Sequence, residues 1–410
     1  MEMRKSSDIT GAGQSENQGD RTGLPLTEPP IQQWIELNQD AYSRNLSAFK
    51  QLVGSGVKIM AVVKSNGYGH GARPITTMAI ESGIDYLGLN CLNEFKEIND
   101  LAGQIPVCIL GPLYASDAME AAKLGVEPTL SDLRIAAALA EAATSLNQSV
   151  SIHIKVETGT HRQGIDPEEI PDWCQFLMAN PLVQFRGLHT HFANIEDTTD
   201  HTFALRQLES LRKAEARFTE LGCPPPVVHS ACSAAAIVMK ETHRGLIRLG
   251  ISSYGLWPSR ETYLSTLLTK NQEPHLEPVL AWYTRIGQIK TVESGEYVGY
   301  GCTFRATRPM RLAVLPVGYY DGYDRRLSGC GHVLVRGQRA PVVGRICMNM
   351  MMIDVTDIPA ALLSDRVTLI GEDQTETITA EDLAALCKTI NYEIISRLGR
   401  HIPRLMKPTQ

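Results

Sequence analysis

The chain runs to 410 residues, more than one domain of ordinary size, and 43% of them are apolar, enough for well-filled cores. A net charge of −6 with both signs interspersed argues against a nucleic-acid surface, and no apolar run reaches the roughly 20 residues of a membrane helix. Nine cysteines lie scattered without a CxxC pair, several inside apolar runs, which predicts reduced core residues rather than a disulfide or zinc framework.

Residues 1–30 are rich in Ser, Gly, Gln, Glu, Asp and Pro and lack an apolar stretch. A disordered leader is expected there, not a secretory signal, and with it a cytoplasmic location. Residues 34–37 make a short strand that could pair with a β domain later in the chain. From about 55 to 255, strand-like segments at 59–63, 86–89, 107–110, 127–130, 150–156, 185–189, 227–229 and 247–249 alternate with helical stretches such as 132–145 and 202–221. That rhythm predicts a (β/α)8 TIM barrel, followed by a C-terminal mainly-β domain. A Rossmann sheet is disfavoured because no GxGxxG opens a helix after an early strand. In the β part, 281–292 with the turn Glu293-Ser294-Gly295-Glu296 reads as a hairpin. Further strands are expected at 311–317, 332–336, 341–346, 350–355 and 366–370, then a closing helix over 380–398 capped by Thr379. The expected domains are 1–30, 31–262 and 263–410.

Chemistry concentrates where strands end. Lys64 closes the apolar run Ile59-Met60-Ala61-Val62-Val63 and precedes Gly67, Gly69 and Gly71. Desolvation there lowers an amine's pKa and favours its nucleophilic form, fit for a Schiff base with an aldehyde. Barrel strands converge on one mouth at their C-terminal ends. Lys155 and Arg162 follow the fifth strand, His191 the sixth and Ser233 the seventh, while Arg248 ends the eighth. The Ser233 hydroxyl and the amides of Gly250 and Ile251 are candidate phosphate donors. Together these residues describe a site for an aldehyde-phosphate cofactor.

The stretch Ala61-Val62-Val63-Lys64-Ser65-Asn66-Gly67-Tyr68-Gly69-His70-Gly71 resembles the cofactor-lysine signature of alanine racemase, a pyridoxal 5'-phosphate enzyme of the type III fold. Lys155-Val156-Glu157-Thr158-Gly159, Gly299-Tyr300-Gly301 and Arg345-Ile346-Cys347-Met348 resemble further motifs of that family in the same order. The resemblance spans about Trp34 to Arg404. It implies that Lys64 holds the cofactor and serves as one base, and that Tyr300 serves as the other. It implies that Tyr68 and Ser233 contact the phosphate, that Arg248 faces the pyridine nitrogen, and that His191 stands between Tyr300 and Arg248. Arg162 and the Met348 backbone would contact the substrate carboxylate, Tyr319 would line the substrate's path, and Lys155 would be a carbamylated lysine positioning Arg162. Because Tyr300 lies in the β domain, a homodimer with shared sites is implied, making D-alanine for peptidoglycan. No metal is expected.

Three departures from the family pattern stand out. Asn349 replaces an aspartate and keeps serine or another amino acid open as substrate, Cys232 precedes Ser233 in place of asparagine, and Arg400 aligns with a phosphate-facing tyrosine. On that alignment Tyr392 reads as core. A metal-dependent barrel hydrolase, suggested by His189-Thr190-His191 with Lys155 and His229, is disfavoured because His-x-His comes late in the chain. A non-catalytic cofactor-binding protein is disfavoured by the β domain that carries Tyr300.

Overall fold

The computed structural model describes residues 31–269 and 274–407; the leader expected at 1–30 lies outside the described residues. Eight parallel strands form the first sheet: β2 (Lys58–Val62), β3 (Tyr86–Leu89), β4 (Val107–Ile109), β5 (Glu127–Leu130), β6 (Val150–Lys155), β7 (Val183–His189), β8 (Val227–His229) and β9 (Leu246–Leu249). Each pairs with its successor through β8, and β9 returns to β2 with Ala61 opposite Leu249. The last seam, between β8 and β9, is held by Gly245 N–H to Val228 O at 3.1 Å and Arg248 N–H to Ala231 O at 2.9 Å. The expected barrel therefore forms, nearly closed.

Strand alternation sorts β2 into two layers. Met60 and Val62 pack inside the barrel with Tyr86, Cys108 and Leu246, while Ile59 and Ala61 pack outward in the larger core under the helices. The interior is not wholly apolar. Glu127, His153, His189, His229 and Arg248 are all buried within it.

Beyond β2 the chain makes a left-handed helical turn over Lys64–Tyr68, with Ser65, Asn66, Gly67 and Tyr68 all at positive φ. Each non-glycine residue there costs roughly 1–2 kcal/mol, so the turn needs external support. Glu94 accepts from Ser65 N–H at 2.7 Å, and the Asn66 side chain accepts from Ala72 N–H at 2.9 Å. Arg404, near the end of the chain, donates to Gly69 O at 2.7 Å.

The second sheet has ten strands, with β1 (Gln33–Leu37) inserted between β10 (Leu280–Arg285) and β20 (Arg404–Met406). The segment before the barrel thus pairs with the β domain, as its isolation in sequence suggested. The expected hairpin does not form. β10 and β11 (Gln288–Val292) are separate strands; β10 pairs with β1 and with β18 (Arg366–Asp373), whereas β11 pairs with β14 (Met310–Leu315). The 293–296 turn instead leads to a short ribbon of β12 (Tyr297–Val298) and β13 (Phe304–Arg305). The closing helix is also broken. It becomes Ala380–Cys387, ended by Lys388 at φ 53, and Asn391–Ser396.

A Cβ on Gly69, which sits at φ 84, would lie 1.8 Å from Ile395 O in that last helix. Gly69→Ala is expected to destabilise the protein by about 2–4 kcal/mol, read as a lower denaturant midpoint.

Candidate active site

A cavity of about 910 Å³ opens at the C-terminal ends of the barrel strands. Lys64, Tyr68, Lys155, Arg162, His191, Ser233, Arg248, Gly250 and Ile251 all line it. Nine sequence-predicted residues from five strand-end segments therefore meet in one place. Tyr300, Tyr319 and Met348 do not line the cavity of their own chain; they are exposed on the β domain.

Two ends of the cavity differ in chemistry. At one, the Ser233 hydroxyl opens the helix Ser233–Val238 and accepts from Gly250 N–H at 3.0 Å. The Tyr68 hydroxyl fills the space beside Gly250, where a Cβ would stand 2.7 Å from it. Tyr392, expected in the core, packs against it and also lines this cavity, with its ring 6.2 Å from that of Tyr68. Burial pushes both phenols up, which keeps them protonated donors at neutral pH. Hydroxyls and amides suit a phosphate monoester. Arg400 takes no part: it is exposed and pairs with Glu97 at 3.1 Å.

At the other end, Arg248 is buried. Its Nη1 donates to His229 Nδ1 and His229 O, and its Nη2 to Thr190 O, Ser230 O and, at 3.4 Å, His191 Nδ1. No protein acceptor among the described residues takes its Nε–H, although Arg248 lines the cavity. A heteroaromatic nitrogen would satisfy it. Burial lowers the guanidinium pKa only to about 10, so it remains a cation. Burial and then the Arg248 charge hold His191 well below the usual imidazole range, so the ring is neutral. With Nδ1 accepting from Arg248, the proton of His191 sits on Nε2.

Lys64 is partly buried, and burial followed by the Arg162 charge lowers its pKa, as its place at the end of an apolar strand predicts. Lys155 is buried, and burial followed by Arg162 and Arg248 lowers it from 10.5 to about 8.

On the β domain, Tyr300 stands between Gly299 and Gly301, both at positive φ, and a Cβ on Gly301 would lie 2.6 Å from the Arg345 guanidinium. Tyr319 N–H binds Cys347 O and Tyr320 N–H binds Met348 O. Asp321 anchors this corner, accepting from Gly318 N–H at 2.9 Å and Gln33 at 2.7 Å, with His401 Nε2 at 2.8 Å. Asn349 is exposed beside Met348, and Cys232 lines the cavity next to Ser233.

A model of the alanine racemase N-terminal domain matches residues 37–258, and one of the alanine racemase C-terminal domain matches 279–406. This chain belongs to the alanine racemase family. Alanine racemase from Leptospira interrogans serogroup Icterohaemorrhagiae serovar copenhageni is 37% identical over 373 residues, covering 91% of this chain and 95% of that protein. The relative from Halothermothrix orenii is 37% identical over 374 residues, covering 91% and 96%. Among solved structures, alanine racemase from Bacillus anthracis with bound L-Ala-P superposes with a TM-score of 0.86 at 31% identity, covering 93% of this chain and 96% of that one. The chain is an amino-acid racemase with a small amino acid as substrate, and no described helix is long and apolar enough to cross a membrane.

Tyr392 was passed over because the alignment on Pro403-Arg404 put Arg400 in the phosphate-facing position. The break at Lys388 turns Tyr392 inward, and Asn391 secures it by donating to Trp257 O at 3.0 Å.

The folded pKa of Lys155 lies below its unfolded value, so the folded chain binds fewer protons between about pH 8 and 10.5 and stability rises with pH across that window. Denaturant titrations in CO2-free buffer should therefore show the wild type gaining on Lys155→Met as pH rises from about 7.5 to 9.5. Parallel curves would place the amine in water.

Proposed function

We propose that this racemase interconverts L- and D-alanine with pyridoxal 5'-phosphate, using Lys64 and Tyr300 of the partner subunit as opposed bases. The observation that carries this reading is that one cavity joins the lowered amine of Lys64 to the Tyr68–Ser233–Gly250 cradle and to the free Nε–H of Arg248. Lys64 would hold the cofactor through its amine; Tyr68, Tyr392, Ser233 and the amides of Gly250 and Ile251 would hold its phosphate. When bound, the cofactor supplies the electron sink that acidifies the substrate's Cα–H. The residues do the rest.

Racemisation needs proton exchange on both faces of a planar carbon. Lys64 Nζ would exchange the proton on the D face. Tyr300 of the partner subunit serves the L face. A phenol with an ordinary pKa of about 10 is a weak base at neutral pH; the Nε2–H of His191 would donate to its oxygen and favour the anion. With the cofactor bound, Arg248 would offer its Nε–H to the ring nitrogen without giving up its proton, which would weaken the sink and disfavour transamination. Arg162 and the Met348 amide would orient the carboxylate.

Lys155 is suited to carbamylation. Near pH 8 half of its amine is neutral and can attack CO2, forming an N–C bond and releasing one proton. The carbamate anion replaces a cation beside Arg162, converting repulsion into attraction. The exposure of Tyr300, Tyr319 and Met348 fits a second copy of the chain placing them over the barrel mouth. Synthesis of D-alanine for peptidoglycan in the cytoplasm is the role this activity would serve.

Tyr300→Phe should keep the yellow cofactor and lose about 10²–10⁴-fold in racemisation. Shared sites make a sharper forecast. Lys64→Ala and Tyr300→Phe chains, each inactive alone, should recover about a quarter of wild-type activity when unfolded, mixed and refolded together, because half of the dimers then contain one intact site. No recovery would place Tyr300 in the site of its own chain.

A further inference from the structure

Behind Arg248 a hydrogen-bonded line runs down the barrel interior. His229 Nδ1 lies 2.9 Å from Arg248 Nη1, His229 Nε2 lies 3.0 Å from His153 Nδ1, and His153 Nε2 lies 2.9 Å from Glu127 Oε2. Glu127 is the first residue of β5, so the line begins at the floor of the barrel and ends at its mouth. All four residues are buried.

The protons in this line have only one arrangement. A guanidinium only donates, so His229 Nδ1 must accept. A neutral imidazole then carries its proton on Nε2, which donates to His153 Nδ1. His153 therefore carries its own proton on Nε2 and donates it to the Glu127 carboxylate. An imidazolium at His153 would need His229 to accept at both nitrogens, as an anion. Every donor thus points away from the active site and toward one carboxylate.

Two further observations show that the line is built. Gly187 leaves room for its middle bond: a Cβ there would lie 2.4 Å from His153 Nδ1 and 3.3 Å from His229 Nε2. The ring of His189 stacks on His229 at 4.6 Å, fixing its plane, and has its own Nε2 3.2 Å from Thr129 Oγ1. The acceptors that Arg248 meets directly are all neutral, three backbone carbonyls and two imidazole nitrogens. Glu127 therefore supplies the negative charge at the far end of the line.

We propose that Glu127 is a positioning residue for the racemase, which acts through His153 and His229 to hold Arg248 as a fixed cationic donor toward the cofactor ring. This rests on the reading of Arg248 given above. Polarisation passes along the chain of bonds, each strengthening the next in a low-dielectric interior. Nothing is transferred along it; the carboxylate fixes tautomers and countercharge.

The test uses full-length holoenzyme labelled with 15N-histidine. His153 and His229 should each show a protonated Nε2 and an unprotonated Nδ1; a proton on either Nδ1 overturns the proposal without a variant being made. Glu127→Gln keeps an acceptor for His153 but loses the countercharge, and should lower kcat less than Glu127→Leu does. Glu127→Leu removes the acceptor as well, and should lower kcat roughly tenfold or more at unchanged KM, shift the cofactor's visible band and disturb the histidine nitrogens. Wild-type kcat in folded Glu127→Leu, or a loss with unchanged histidine signals, would overturn the proposal. If the wild type held no chromophore but showed the expected tautomers, the cofactor reading would fail while the hydrogen-bond line stood.

Discussion

A guanidinium inside a barrel is costly unless each of its N–H groups meets an acceptor, and Arg248 imposes that demand on much of the structure. Its acceptors come from two neighbouring regions, the residues around the end of β7 and those around the end of β8. Their backbones must bring Thr190, His229 and Ser230 to one point. His191 is thereby held in the tautomer that can donate into the cavity. The polar floor of the barrel, with three buried histidines where such barrels are normally filled by branched aliphatics, follows from the same demand.

The β domain is tied to the barrel at more than the linker. β1 precedes the barrel in sequence yet pairs with β10 and β20, so the chain enters and leaves through the same sheet. Asp321 joins Gln33 before the barrel to His401 near the chain's end, and the same carboxylate holds the corner bearing Tyr319. The β domain therefore presents its exposed tyrosines from a corner braced by residues on both sides of the barrel in sequence.

Much of this was legible in the sequence. The barrel strands were readable because each is a short apolar run between turns, and Lys64, Arg162, His191, Ser233 and Arg248 were readable because strand ends in a barrel share a mouth. What escaped depended on contacts between distant segments. Tyr392 needed a helix break that Lys388 makes by adopting a left-handed conformation, which its residue type does not announce. The 281–292 pair looked like a hairpin because neighbours usually pair, but β10 finds β1 and β18 instead. Glu127 and His153 gave no signal, since one buried carboxylate and one buried imidazole look ordinary until the fold sets them 2.9 Å apart.

The left-handed turn after Lys64 has a consequence for how the enzyme comes into being. Its strained residues are held partly by Arg404 through Gly69 O, and its glycine is packed against Ile395. Those partners leave the ribosome more than three hundred residues after Lys64. The barrel strands can assemble while the chain is still growing, but the turn that aims the lysine acquires these supports only once Ile395 and Arg404 have been made. A chain cut before Ile395 would own all the barrel's residues and still lack two of the supports that hold this turn.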